Sequence, residues 1–128
     1  MTPEAFRKAA LKREGVVESA HQDHPDFRVN GRVFASLSPE GQGWAMVKLS
    51  PEEQEAFVRN DPAGFSPFTG AWGKAGCTRI VLASAPAAAV GAALLMAWRL
   101  AAAAKPAKRK RPGATPRSNP KTKPKPRP

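Results

Sequence analysis

Apolar positions along this chain switch between a helical and a two-residue rhythm, and the switches fall at turn and cap residues. The first rhythm is helical: Phe6, Ala9 and Ala10 share one face behind Thr2-Pro3-Glu4. Threonine can accept a backbone N–H there, proline fits the first helical position, and glutamate suits the positive end of the helix dipole. The pattern predicts a helix running to about Glu14 and stopped by Gly15. Val17, Ser19 and His21 then alternate as a strand would, and His24-Pro25-Asp26 reads as a turn. Phe27 and Val29 face one side of a second strand. Asn30-Gly31 is the strongest hairpin signal, because a type I′ turn needs positive φ at both positions, and Arg32–Leu37 is the return strand. Pro39-Glu40-Gly41-Gln42-Gly43 makes the next turn. Trp44–Leu49 follows as a strand with Trp44, Met46 and Lys48 on one face and Ala45, Val47 and Leu49 on the other.

Ser50-Pro51-Glu52-Glu53 is a capping box with proline at the first position, so a second helix begins there. It should carry Ala56 and Phe57 inward and end near Asn60-Asp61-Pro62. Residues 63–76 (AGFSPFTGAWGKAG) read as a loop, and a strand at Cys77–Leu82 follows. Val90, Ala93, Leu94, Ala97, Trp98 and Ala101 repeat at helical spacing within a last helix over about 86–104, and Pro106 and Pro112 prevent its continuation. The predicted class is α+β, an antiparallel sheet packed against helices in the order α-β-β-β-β-α-β-α.

Charge divides the chain in two. Lys105, Lys108, Arg109, Lys110, Arg111, Arg117, Lys121, Lys123, Lys125 and Arg127 lie in the last 24 residues, with no acid among them. The first 104 residues set the other 11 basic residues against all 10 acids, so the body is near neutral although the whole chain carries +11. The division predicts a folded domain at 1–104 and a tail at 105–128. The tail holds seven prolines and no large apolar side chain, so it is expected to be disordered. The single cysteine, Cys77, cannot form an internal disulfide, and residues 1–14 show no apolar leader segment; both fit a cytoplasmic protein. The uncharged run Ile80–Trp98 has the length of a membrane span. It divides better into a strand and a helix beginning near Ser84–Pro86, so no membrane partner is expected.

Several pieces in order resemble the MmcQ/YjbR family of small bacterial proteins described as DNA-binding. They are Gly15-Val16 after the first helix, His24-Pro25-Asp26-Phe27-Arg28-Val29-Asn30-Gly31-Arg32-Val33-Phe34-Ala35, and Val47-Lys48-Leu49 followed by Pro51-Glu52-Glu53-Gln54. Gly70-Ala71-Trp72-Gly73-Lys74-Ala75-Gly76-Cys77-Thr78-Arg79 is the clearest, and Ala97-Trp98-Arg99 closes the set. The resemblance covers residues 1–104 and implies a curved antiparallel sheet backed by helices and a DNA-binding role. The basic tail lies outside it.

Clustered lysine and arginine neutralise phosphates and release counterions, which gives salt-dependent affinity without sequence readout. The tail is therefore a candidate nucleic-acid contact, DNA more than RNA, against the plainer reading of a solubilising appendage. Trp72, beside Lys74 and near Arg79, can stack a base while the cations hold phosphate. The plainer reading there is that Trp72 caps the core and the glycines around it serve turn geometry. In His21-Gln22-Asp23-His24-Pro25-Asp26 the spacing is poor for a metal, so a surface turn is expected. Cys77 reads as a small half-buried residue. Glu52 and Glu53 serve the helix start.

No phosphate-cradling loop, nucleophile–base set or Cys/His ligand set is present, so no catalytic residue, metal or cofactor is assigned. The expected role is non-catalytic DNA binding of low sequence specificity. The alternatives are an RNA binder and a protein-interaction module with a solubilising tail; the oligomeric state stays open. A sheet face lined by Arg32, Lys48 and Arg79 would favour DNA, and an exposed apolar patch on the sheet a protein partner. A deep pocket holding His21 or His24 beside a carboxylate would favour a small-molecule binder or enzyme.

Overall fold

The computed structural model describes residues 1–21 and 24–104, without the side chain of His21. The tail, Gln22 and Asp23 lie outside the described residues, and with them the ten tail cations and half of the His/Asp cluster. Ten elements follow one another: α1 (Pro3–Leu11), β1 (Val17–His21), β2 (His24–Val29), β3 (Arg32–Leu37), β4 (Trp44–Lys48), α2 (Pro51–Asn60), β5 (Phe65–Pro67), α3 (Gly70–Lys74), β6 (Cys77–Val81) and α4 (Ala87–Ala103). The eight expected elements appear in the expected order, and the segment read as a loop, 63–76, contributes the short β5 and α3.

All six strands join one antiparallel sheet in the order β1-β2-β3-β4-β6-β5. Local chemistry sets its hairpins. Asn30 and Gly31 take φ of 57° and 73°, the left-handed pair that a type I′ turn demands. In β3 the register shifts beside Phe27/Arg28, leaving Phe34 without a partner residue. That bulge lets Phe34 and Ala35 both turn into the core, where both are fully buried.

One face of the sheet carries Phe27, Val29, Ala35, Leu37, Ala45, Val47 and Ile80, and α1 and α4 cover it with Phe6, Ala10, Val90, Ala93, Leu94 and Ala97. Phe6 meets Phe27 edge-on at 6.2 Å. The Trp98 indole N–H donates to the Glu14 carbonyl at 3.0 Å, tying the far end of α4 to the segment after α1. At the start of α2, Ser50 and Glu53 bond each other's backbone N–H at 3.1 Å, which is the capping box read from the sequence.

Three local expectations change. Helix α1 ends at Leu11 rather than near Glu14. Asp26 is a residue of β2 and only 4 % exposed, because its carboxylate pairs with Arg28 instead of bonding a turn backbone. In α2 Ala56 is exposed, and the buried position belongs to Gln54, whose amide satisfies polar atoms beneath it.

Candidate functional site

Strand alternation puts Asp26 and Arg28, then Trp44, Met46 and Lys48, then Cys77 and Arg79 on the sheet face turned away from α4. Register draws one row across all six strands: Ser19, Asp26, Ser36, Met46, Arg79 and Ser66. A groove of about 900 Å³ follows this face and continues to the last turns of α4. His24, Asp26, Arg28, Arg32, Val33, Ser36, Met46, Lys48 and Cys77 line it from the sheet, Trp72 from α3, and Leu100, Ala101, Ala103 and Ala104 from α4.

The groove carries three cationic side chains, Arg28, Arg32 and Lys48, against one carboxylate, Asp26. Arg28 grips Asp26 in a fork, Nε to Oδ1 at 3.1 Å and a terminal nitrogen to Oδ2 at 3.3 Å. That hydrogen bond, and then the charge of Asp26, push the Arg28 guanidinium further above its ordinary value. The pair also engages both carboxylate oxygens, so His24 and Asp26, although both line the groove, do not form a histidine beside an unengaged acid. Among the described residues no three of His, Cys, Asp and Glu gather as a metal site.

The three expected site residues of the body land in different surroundings. Trp72 is 71 % exposed, which overturns the reading that it caps the core, and it lines the groove. Lys74 is exposed in the last turn of the same short helix. The Arg79 guanidinium stands over the Trp44 ring at 5.0 Å and the Phe68 ring at 5.4 Å, and the two rings meet edge-on at 5.6 Å. Its cation is thus part of an aromatic stack on the open face. Sequence reasoning missed Arg28 as a site residue, although its offset of two from Asp26 on a strand carried the signal. It left Arg32 and Lys48 outside its assigned contacts and named them, with Arg79, as what would favour DNA; Arg32 and Lys48 line the groove and Arg79 does not.

Trp72 is held on a stiff mount. A side chain on Gly73 would run into the Phe68 carbonyl at 1.6 Å, and one on Gly76 into the Leu49 carbonyl at 1.8 Å. Only glycine permits these two backbone contacts, so part of the plainer reading of this segment holds. Gln54 reaches in from α2 and donates to the Gly73 and Cys77 carbonyls at 3.0 Å each and to the Thr78 hydroxyl at 3.2 Å. Thr78 in turn donates to the Gly76 carbonyl at 2.9 Å. Cys77 is buried rather than half-buried, and burial pushes its thiol up against the opposing pull of Lys48.

A six-stranded antiparallel sheet with helices on one side and a groove carrying cationic side chains defines a small α+β domain. The chain belongs to the YjbR family, whose model matches residues 11–100. The fold is similar to a Deinococcus radiodurans protein, DR2400, which carries a DUF419 domain: TM-score 0.67, 19 % identity, 77 % of each chain covered. It is also similar to a Pseudomonas syringae protein, with TM-score 0.63 and 16 % identity over 79 % of this chain and 99 % of that one. No curated protein matches the chain. No helix among the described residues is long and apolar enough to cross a membrane.

Proposed function

We propose that this protein binds nucleic acid without catalysis and with low sequence specificity, as a cytoplasmic protein that prefers DNA to RNA. The residues at 105–128 supply most of the affinity, and the groove supplies a second, shaped set of contacts. One observation carries the reading. The lining of the groove includes Ala103 and Ala104, the residues immediately before the run that begins at Lys105. The Asn30 side chain fixes that junction, donating to the Ala101 carbonyl at 3.3 Å and the Ala104 carbonyl at 2.7 Å. The chain therefore passes from a groove lined by Arg28, Arg32 and Lys48 into a run of ten cations, and one polyanion meeting both sets fits that order. Contacts of this kind go to phosphates, which position a nucleic acid without reading it.

Salt-titrated binding of DNA and RNA by the full chain and by a 1–104 fragment tests the proposal. The fragment keeps every core residue found among the described residues, the last of which is Ala101. If 6–10 phosphates are engaged, the full chain should lose about 10³–10⁵ in affinity between about 50 and 200 mM salt. The fragment should lose most of the affinity and show a flatter slope. A fragment that binds as tightly with the same slope overturns the role of the tail; a full chain that binds no nucleic acid at low salt overturns the whole reading.

A further inference from the structure

We infer that the groove takes a single-stranded segment of nucleic acid, with one base stacked on Trp72 and the neighbouring phosphates on Lys48 and Arg32. This rests on the nucleic-acid reading and narrows its ligand. Duplex and single strand ask for different surfaces. A duplex presents its phosphates on the outside and hides its base faces, so it calls for a broad cationic surface. A single strand exposes π-faces and is held by a cationic channel with aromatic platforms.

The groove has the second character. Lys48 is exposed, and no carboxylate pairs with it among the described residues. The same groove is lined by the apolar side chains of Met46 and Leu100, which a phosphate backbone would not use and a base would. Trp72, the most exposed large apolar side chain among the described residues, stands at the same groove. A mobile surface tryptophan would lose much of a stacking gain to ordering, but Trp72 rides on backbone clamped at Gly73 and Gly76 and bonded by Gln54. Arg79 is not among the residues that line the groove, and its cation faces the Trp44 and Phe68 rings, so the aromatic platform at the groove is Trp72.

The test uses the full chain at about 0.15 M salt, where exposed long-range attraction is largely screened. The probes are a fluorescein-labelled oligothymidylate of about 12 nucleotides and a mixed-sequence duplex of the same length. The single strand should bind more tightly than the duplex. Trp72→Ala should weaken single-strand binding about tenfold and leave duplex binding within about twofold, since one base–aromatic stack is worth that much. Trp72→Phe should restore most of the loss, and tryptophan fluorescence should be quenched by oligothymidylate in the wild type but far less in Trp72→Phe. Trp72 is exposed, so both variants should keep the wild-type circular dichroism. Equal affinity for the two probes, or a Trp72→Ala protein that binds the single strand normally, overturns the single-strand assignment and leaves the broader reading standing. Failure of the wild type to bind either probe even at low salt overturns both.

Discussion

Replacing Gln54 by leucine isolates the polar clamp that mounts α3 on the sheet. Leucine nearly matches glutamine in volume, so little cavity forms and the change is mainly the loss of the amide N–H groups. Three acceptors lie within reach: the Gly73 and Cys77 carbonyls and the Thr78 hydroxyl. Two N–H groups cannot fully serve three acceptors, so two net bonds are the right count. None of the acceptors is orphaned by the change. The Gly73 carbonyl also accepts from Gly76 N–H at 3.0 Å, the Cys77 carbonyl from Phe68 N–H at 3.1 Å, and the Thr78 hydroxyl keeps its own bond to Gly76. The full penalty for an unsatisfied buried group therefore does not apply. Two bonds at about 0.5–1.5 kcal/mol each predict a loss of about 1–3 kcal/mol.

Urea denaturation monitored by circular dichroism measures this directly. With a slope of about 1–3 kcal/mol per molar for a small domain, the midpoint should fall by roughly 1 M at unchanged slope. Gln54→Glu should be worse than Gln54→Leu, because it puts a carboxylate against two carbonyl oxygens. A Gln54→Leu protein within about 0.5 kcal/mol of wild type would refute the clamp, because changes of that size arise at surface positions without any such network.

Asn30→Gly should keep the positive φ of the hairpin but drop the side-chain bonds to Ala101 and Ala104, costing about 1 kcal/mol and speeding amide exchange in the last turn of α4; unchanged exchange there would refute the cap. Cys77 keeps its proton longer in the folded protein than in the unfolded chain, because burial raises its thiol. Its contribution to stability is thus complete below a pH of about 8.5 and declines as pH rises above that, and a Cys77→Ser protein should show less of this alkaline loss. Lys48→Gln removes the cation that pulls the thiol down, so the reaction of Cys77 with a disulfide reagent at mildly alkaline pH should slow further; acceleration would contradict the sign.

What could be read from the sequence follows how local each determinant is. The Asn30-Gly31 turn and the Ser50/Glu53 cap act within a few residues, and both occur as read. Helix α4 was legible because its buried positions recur with the helical period. The segment 63–76 was not, because what shapes it lies elsewhere in the chain: Gly76 packs on Leu49, and Gln54 bonds Gly73 from α2. The same holds for α2, where an apolar rule chose Ala56 and a buried hydrogen-bond network chose Gln54. Of the candidate site, single residues were legible and their grouping was not. Arg79 was named from its neighbours in sequence, yet its partners Trp44 and Phe68 come from β4 and the stretch between β5 and α3. Asn30 reads as a turn residue, and nothing within its own hairpin discloses that it also caps a helix more than 70 positions away.

The two cationic regions are suited to different tasks. The 24 residues that follow Ala104 can span at most about 80 Å, so their ten charges can reach phosphates over an area far wider than the groove. Charges with that much reach are interchangeable: removing any one should cost little, and none imposes a register on the ligand. The groove is the opposite case. Lys48 and Arg28 stand on β4 and β2 of one sheet, and Trp72 on a helix clamped by two close backbone contacts. A ligand that meets them must fit distances the fold has already set. Affinity and its salt dependence should therefore track the total charge of the tail, whatever the order of its residues. Discrimination between one polyanion and another should track the groove. A tail with its sequence scrambled would then bind like the wild type, while Trp72→Ala would keep the salt slope and lose the choice of ligand. That separation is the physical content of a near-neutral domain joined to a basic extension.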